Sequence, residues 1–200
     1  MIQWYPGHMA KSRRILERDL KIVDLVVEVL DARIPYSSQN PDLAELLGSK
    51  KKIIVLNKMD LADRAISERW KNYFARDYPV VLVNSLTGEG IKELLAFIEA
   101  EGREINKALQ EKGRNKRDIR IMVVGIPNVG KSALINVLAG VKYARTGNKP
   151  GVTRGRQWIT VRKDIQLLDT PGILWPKFDD EDVGYRLALT GAIRDEVFDE

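Results

Sequence analysis

The sequence has no cysteine, which excludes disulfide bonds and any Cys-ligated zinc or iron–sulfur centre and fits a reducing compartment. Residues 1–14 lack the long apolar core of a signal peptide. No apolar run approaches the roughly 20 residues of a membrane span. There is one histidine, His8. Internal repeats and low-complexity segments are also absent. A soluble, cytoplasmic chain that engages no membrane is expected, and it is taken as a monomer. With 44% apolar and 30% charged residues in 200, there is enough to build a packed domain with a modest extension.

Basic residues outnumber acidic ones over most of the chain. From residue 178 onward there are eight acids, among them Asp180, Glu181 and Asp182, against two arginines. The rest holds 31 basic and 20 acidic residues, a net of +11 beside the overall +5. A body this basic points to a polyanionic partner.

Short runs rich in Val and Ile recur at 23–30, 52–56, 80–83, 119–124, 157–161 and 165–168, and read as strands. Helical segments fall between most of them, at 40–47, 67–73, 91–110 and 131–139. In the third, Ile91, Leu94, Leu95, Ile98, Ile105 and Leu109 lie on one face at helical spacing, a core-facing stripe. The alternation predicts an α/β fold, doubly wound, with a mostly parallel sheet covered on both sides. Ligands of such folds bind beyond the carboxyl ends of the strands. The basic segment 112–118 reads as an internal connector.

Gly125-Ile-Pro-Asn-Val-Gly130-Lys131-Ser132 follows one strand and opens a helix, the context a phosphate-binding loop requires. Its glycines let backbone N–H groups turn toward phosphate oxygens, and the helix N-terminus adds partial positive charge. Asn128, Val129, Gly130, Lys131, Ser132 and Ala133 form the expected phosphate-binding set. Lys131 would reach the β- and γ-phosphates, and the Ser132 hydroxyl would ligate Mg²⁺. Asp169-Thr-Pro-Gly172 follows another strand, 37 residues after Ser132. Asp169 suits a Mg²⁺ held through water, and the Gly172 N–H suits the γ-phosphate. Between them Thr153 is the candidate switch threonine, a Mg²⁺ ligand that senses the γ-phosphate, with Thr146 the runner-up. A segment around them ordered by nucleotide is expected.

Asn57-Lys58-Met59-Asp60 follows the strand at 52–56. In this pattern Asp60 accepts from guanine N1–H and the exocyclic amine, Asn57 braces base and loop, and the Lys58 stem packs on the ring. Adenine offers neither donor and would leave the carboxylate unpaired. Ser85, Leu86 and Thr87 follow the next strand, like the loop whose backbone contacts guanine O6. In common G proteins the phosphate loop comes first and the guanine motifs last. Here the order is reversed, which a short linker at the bottom of the sheet can accommodate.

The permuted motifs, together with Trp4-Tyr-Pro-Gly-His8-Met9 and Asp31-Ala-Arg33-Ile-Pro35, resemble the circularly permuted GTPases of the YlqF/ribosome biogenesis GTPase A family. The resemblance covers nearly the whole chain. It implies a P-loop GTPase fold with circular permutation. It also implies a cytoplasmic GTPase, using GTP/GDP and Mg²⁺, that assists late assembly of the large ribosomal subunit and contacts its rRNA. The expected organisation is an N-terminal extension over 1–22, the G domain over 23–177, and the acidic start of a C-terminal helical region over 178–200. Asp31 and Arg33 stand as signature residues, with a strand-end ion pair or turn the plainer reading.

Ile173 occupies the place where many G proteins carry a water-orienting glutamine. A slow enzyme stimulated by the ribosome or by K⁺ is expected. The resemblance offers His8 as a catalytic candidate, beside Lys131, Thr153 and Gly172. An asparagine at position 128 resembles GTPases that bind K⁺ between the phosphates. Lys142, Arg145, Lys149, Arg154 and Arg156, with Lys11, Arg13, Arg14, Arg18 and Lys21 and the aromatics Trp4 and Tyr5, suit contact with RNA. The alternative is a non-catalytic GTP/GDP-sensing RNA-binding module. A third reading, an ATP-using P-loop enzyme, is opposed by Asn57 and Asp60.

Overall fold

A computed structural model of the protein describes residues 7–140, 158–169 and 180–193. Among them run α1 (Gly7–Leu20), β1 (Leu25–Asp31), α2 (Pro41–Leu47), β2 (Lys51–Asn57), α3 (Arg64–Phe74), β3 (Val80–Val83), α4 (Ile91–Glu111), β4 (Ile119–Val124), α5 (Lys131–Ala139), β5 (Trp158–Arg162), β6 (Ile165–Asp169) and α6 (Glu181–Leu189). The six strands form one sheet in the order β3-β2-β1-β4-β6-β5. All neighbours are parallel except β5 against β6. The expected α/β architecture is the one found.

Alternation along the strands divides the core. Leu25, Val27 and Val29 of β1, Ile53 and Val55 of β2, and Ile121 and Val123 of β4 face a large cluster completed by α4, α5 and α6. On the other face Val26, Met122 and Leu168 pack under α1 and α2, through Leu16, Leu20, Leu43 and Leu47. Leu30, Ile54, Leu56 and Leu82 pack with Phe74 of α3. The second face is thus two clusters. Between Val26 and Leu30 sits Glu28, whose carboxylate takes a 2.8 Å hydrogen bond from Lys52 Nζ, both side chains almost fully buried. Burial pushes the Glu28 carboxyl above its usual value, and the charge and hydrogen bond of Lys52 pull it only part of the way back.

Connections set the permutation. Counted from β4 as the first strand, the sheet order becomes 2-3-1-4-5-6, so the phosphate-loop strand is central and the strand order reverses beside it. The connector 112–118 joins α4 to β4 at the amino ends of the parallel strands, opposite the loops that follow them. It is fastened there by the buried Asn106, which exchanges two 3.1 Å hydrogen bonds with the Arg117 backbone. Sequence periodicity places Ile105 and Leu109 on the core stripe of α4. Both are only half-buried, while Gly102 and Asn106 are buried, because Gly102 lies against Ile119 and the helix end turns to the connector.

Candidate nucleotide site

Asp31, Asn57, Val83 and Val124 end parallel strands that share one edge of the sheet, and Asp169 ends β6 on the same side. Register pairs Asp31 with Asn57 and Asn57 with Val83. Motifs as far apart in the chain as Asn57 and Val129, 72 residues, are therefore neighbours.

The phosphate loop leaves β4 through Gly125 at φ +150°. A Cβ there would stand 2.5 Å from the Val29 carbonyl oxygen, so only glycine lets the loop pass so close over β1. Gly130, at φ +95°, opens α5, and a Cβ there would run into the Asn57 amide. Asn128 adopts left-handed backbone at φ 59°, which asparagine tolerates better than most residues. Its Nδ2 donates to the Gly191 carbonyl just beyond α6. Lys131 is buried, and its ammonium crosses back through the loop to donate to the Ile126 carbonyl at 2.8 Å. Ser132 and Ala133 are half-buried in the first turn of α5. A buried ammonium inside a backbone loop at a helix N-terminus fits a phosphate chain.

Asn57 joins the phosphate loop to the other half of the site. Its Nδ2 donates to the Val129 carbonyl at 2.8 Å, and its Oδ1 accepts from the Ser85 hydroxyl at 2.7 Å and the Ser85 N–H at 3.2 Å. The loop after β3 is pre-shaped by Asn84, whose Oδ1 accepts from Leu86 N–H at 2.9 Å and Thr87 N–H at 3.3 Å. The Leu86 side chain stands 85% exposed, so this large apolar group serves no internal packing. Lys58 has left-handed backbone at φ 61°, and Asp60 follows in a single 3₁₀ turn with its side chain exposed.

Lys58 Nζ lies 3.0 Å from Asp31 Oδ2. Asp31 also receives a two-pronged hydrogen bond from the Arg33 guanidinium, at 2.8 and 2.7 Å, and the Arg33 N–H at 3.1 Å. Burial presses the Asp31 carboxyl upward, but the bonds from Arg33 and the charge of Lys58 outweigh it and leave it below its usual value.

Against known proteins, the ribosome biogenesis GTPase A of Bacillus licheniformis is 50% identical over 198 residues, covering 98% of this chain and 70% of that protein. The chain belongs to the ribosome biogenesis GTPase A family. The mouse mitochondrial ribosome-associated GTPase 1 is 40% identical over 211 residues, which cover 99% of this chain and 63% of that one. The crystal structure of GNP-bound YlqF from T. maritima matches with a TM-score of 0.67 at 30% identity, over 95% of this chain and 70% of that one. The family model described as 50S ribosome-binding GTPase matches residues 120–197. The expected family and its permuted GTPase fold are thereby established. As a member the chain is a GTP-binding GTPase, and GTPases take their nucleotide with Mg²⁺.

In this family member the structure places Asn57 at the end of β2, Lys58, Asp60, Ser85 and Leu86 in the loops after β2 and β3, and Asn128, Val129, Gly130, Lys131, Ser132 and Ala133 in the loop and helix start after β4, with Asn57 bonded to both loops. His8 lies in α1 and Asp169 ends β6, their side chains outside what is described. Thr146, Thr153, Gly172 and Ile173 lie outside the described residues. So do Trp4, Tyr5, Lys142, Arg145, Lys149, Arg154 and Arg156, and the side chains of Lys11 and Arg13. Sequence reasoning did not find the contact of Asp31 with Lys58. The only signal was the position of both at the ends of successive strands, which become neighbours once β1 and β2 pair in register. Among the described residues no helix is long and apolar enough to cross a membrane.

Proposed function

We propose that this chain is a cytoplasmic GTPase switch that assists late assembly of the large ribosomal subunit in contact with its rRNA. The observation that carries this is Asn57, which ties a guanine-reading loop to a phosphate loop in a chain half identical to a ribosome biogenesis GTPase. Asp60 reads the guanine edge and Lys58 packs on the ring. Ser85 and Leu86 close over the base. Because the Leu86 N–H already bonds Asn84, its approach to guanine O6 exchanges or shares that bond. Lys131 binds the β- and γ-phosphates. Ser132, Thr153 and Asp169 are the residues to hold Mg²⁺, which offsets phosphate charge when bound. Gly172 offers its N–H to the γ-phosphate. Co-sedimentation with large-subunit particles tests the role: binding with a non-hydrolysable GTP analogue and release with GDP is expected, and equal binding in both states contradicts a switch.

Ile173 offers no hydrogen bond to the attacking water, so the lone chain hydrolyses slowly. His8 is the proposed residue that positions water on the ribosome. His8→Ala then lowers ribosome-stimulated phosphate release with GTP affinity intact, whereas lost ribosome binding assigns His8 to docking. Asn128 is the proposed K⁺ ligand, the cation neutralising charge that develops in the transition state. Replacing K⁺ by Na⁺ at fixed ionic strength then slows hydrolysis, and Asn128→Asp alters that response. Equal rates in the two salts exclude it. Multiple-turnover phosphate release, alone and with large subunits, separates an enzyme from a nucleotide-sensing binder.

A further inference from the structure

The site contains a group of charges that nucleotide recognition does not account for. Asp31 ends the central strand β1, its side chain only 3% exposed, although β1 and β2 are already joined by a continuous parallel ladder. Three side-chain donors converge on this one carboxylate: Arg33 Nε at 2.8 Å, Arg33 Nη2 at 2.7 Å and Lys58 Nζ at 3.0 Å. The backbone around it is held as well. The Asp31 N–H donates to Ser38 Oγ at 3.0 Å, and that hydroxyl donates to the Pro35 carbonyl at 3.2 Å. The Ala32 N–H donates to the Asn57 carbonyl at 2.8 Å, fixing the turn against the base-reading motif. Planar and two-pronged, Arg33 leaves Asp31 one orientation. The lysine is what is thereby positioned, since a four-carbon stem otherwise samples many rotamers.

We infer that Asp31 and Arg33 are positioning residues for guanine recognition: Arg33 orients Asp31, and Asp31 holds the Lys58 ammonium so that the lysine stem forms a fixed floor for the base in front of Asp60. This rests on the reading of Asn57–Asp60 as the base site. The arrangement divides the motif's labour. Asp60 stays exposed with its carboxylate open to a ligand, while the neighbouring lysine, at φ 61°, turns away from it and pairs with a buried acid instead. Without Asp31, Lys58 and Asp60 stand two residues apart with opposite charges, and an ion pair between them would occupy the carboxylate that guanine requires. Arg33 carries its positive charge near enough to Asp60 to feel it. Its guanidinium is nevertheless committed to Asp31 by both prongs, so it does not cover the Asp60 carboxylate. The signature Asp31-Ala-Arg33 thus has a role at the nucleotide base, reached through Lys58.

The test is a double-mutant cycle on the full chain, read by the affinities for a fluorescent GDP derivative, for competing ADP and for inorganic pyrophosphate. Asp31→Asn is expected to weaken GDP about tenfold, within the range of coupled neighbours, and to leave pyrophosphate unchanged. The preference for GDP over ADP falls by the same factor, because ADP never used Asp60. In a Lys58→Ala background the same substitution has no further effect. Arg33→Lys, which keeps the charge and loses the fork, weakens GDP by about threefold and restores little of what Arg33→Ala loses. A general loss of structure lowers all three ligands together and does not produce this pattern. Equal losses from Asp31→Asn with and without Lys58 overturn the inference, as does an unchanged GDP-to-ADP ratio in both Asp31→Asn and Arg33→Ala. If Asp31→Asn does not fold, Arg33→Ala tested with and without Lys58→Ala decides in the same way. An Asp60→Ala variant that keeps the wild-type GDP-to-ADP ratio overturns the base-site reading itself; loss of that ratio at Asp60 without coupling between Asp31 and Lys58 overturns the positioning role alone.

Discussion

At the amino end of β1, Asp24 receives both terminal nitrogens of Arg117, at 2.7 and 2.6 Å. At the carboxyl end, seven residues on, Asp31 receives two nitrogens of Arg33 at nearly the same distances. The chemistry is one and the setting is not. Asp24 and Arg117 are 12% and 43% exposed, Asp31 and Arg33 3% and 28%. The lower pair belongs to the connector that closes the permuted chain, where water and salt weaken it. The upper pair is drier and carries a third partner, Lys58, that belongs to the site. Between them Glu28 and Lys52 form the extreme case, an ion pair inside the sheet. A single strand therefore grades one interaction from screened fastening to buried constraint, and burial decides which consequences each pair has.

The largest effect should come from the middle pair. Lys52→Met leaves Glu28 buried without its partner, and a loss of about 3–5 kcal/mol in urea-unfolding free energy is expected. Adding Glu28→Leu should recover most of it, because two apolar side chains there would join the clusters now separated on that face of the sheet. A double variant no more stable than the single one would mean that the pair itself stabilises the sheet.

The upper pair comes next, and pH distinguishes it from the middle one. The carboxyl of Asp31 titrates below its usual 3.8 in the folded chain, so its stabilisation is present above that value and fades as pH falls through the lower folded value. Glu28 titrates above its usual 4.5, so the folded chain holds its proton longer and stability declines as pH rises from 4.5 toward the folded value. Relative to wild type, Asp31→Asn should therefore become less stable as pH rises through the acid range, settling at a deficit of about 1.5–3 kcal/mol. Glu28→Gln should move the opposite way. Unfolding free energies measured across that range check both slopes, and slopes of one sign in the two variants would contradict the assigned environments.

These pairs also show what the sequence made legible. All six strands and the helices α2 to α5 are plain in the apolar runs, and the loops after β2, β3 and β4 in their motifs, because each signal is local. Helix α1 was not anticipated: Leu16 and Leu20 supply its buried contacts on α2's side of the sheet, a stripe too thin to stand out among Lys and Arg. The start of α6 had a readable signal in Asp180, which accepts from the Asp182 N–H at 2.9 Å as its cap, yet within the acidic run it reads as charge. Glu28 with Lys52 and Asp31 with Lys58 are more than twenty residues apart. Neither pairing is implied by a motif, because each depends on β1 and β2 meeting in one register.

The smallest effect is expected at the lower pair, and it tests whether the two ends of β1 are independent. Arg117→Ala removes the fork on Asp24 but leaves the Asn106 bonds to the Arg117 backbone and the 2.9 Å bond from the Arg120 N–H to Asp24. A loss of about 0.5–1 kcal/mol is expected, shrinking at high salt as exposed pairs do. GDP affinity should stay within about twofold of wild type, since changes at distant sites without shared partners are nearly additive. The permutation relies on that independence: a junction at the bottom of the sheet is tolerated only if it leaves the strand ends at the top in place. If Arg117→Ala weakens GDP as strongly as Asp31→Asn does, β1 transmits between its ends, and the connector takes part in nucleotide binding as well as closing the chain.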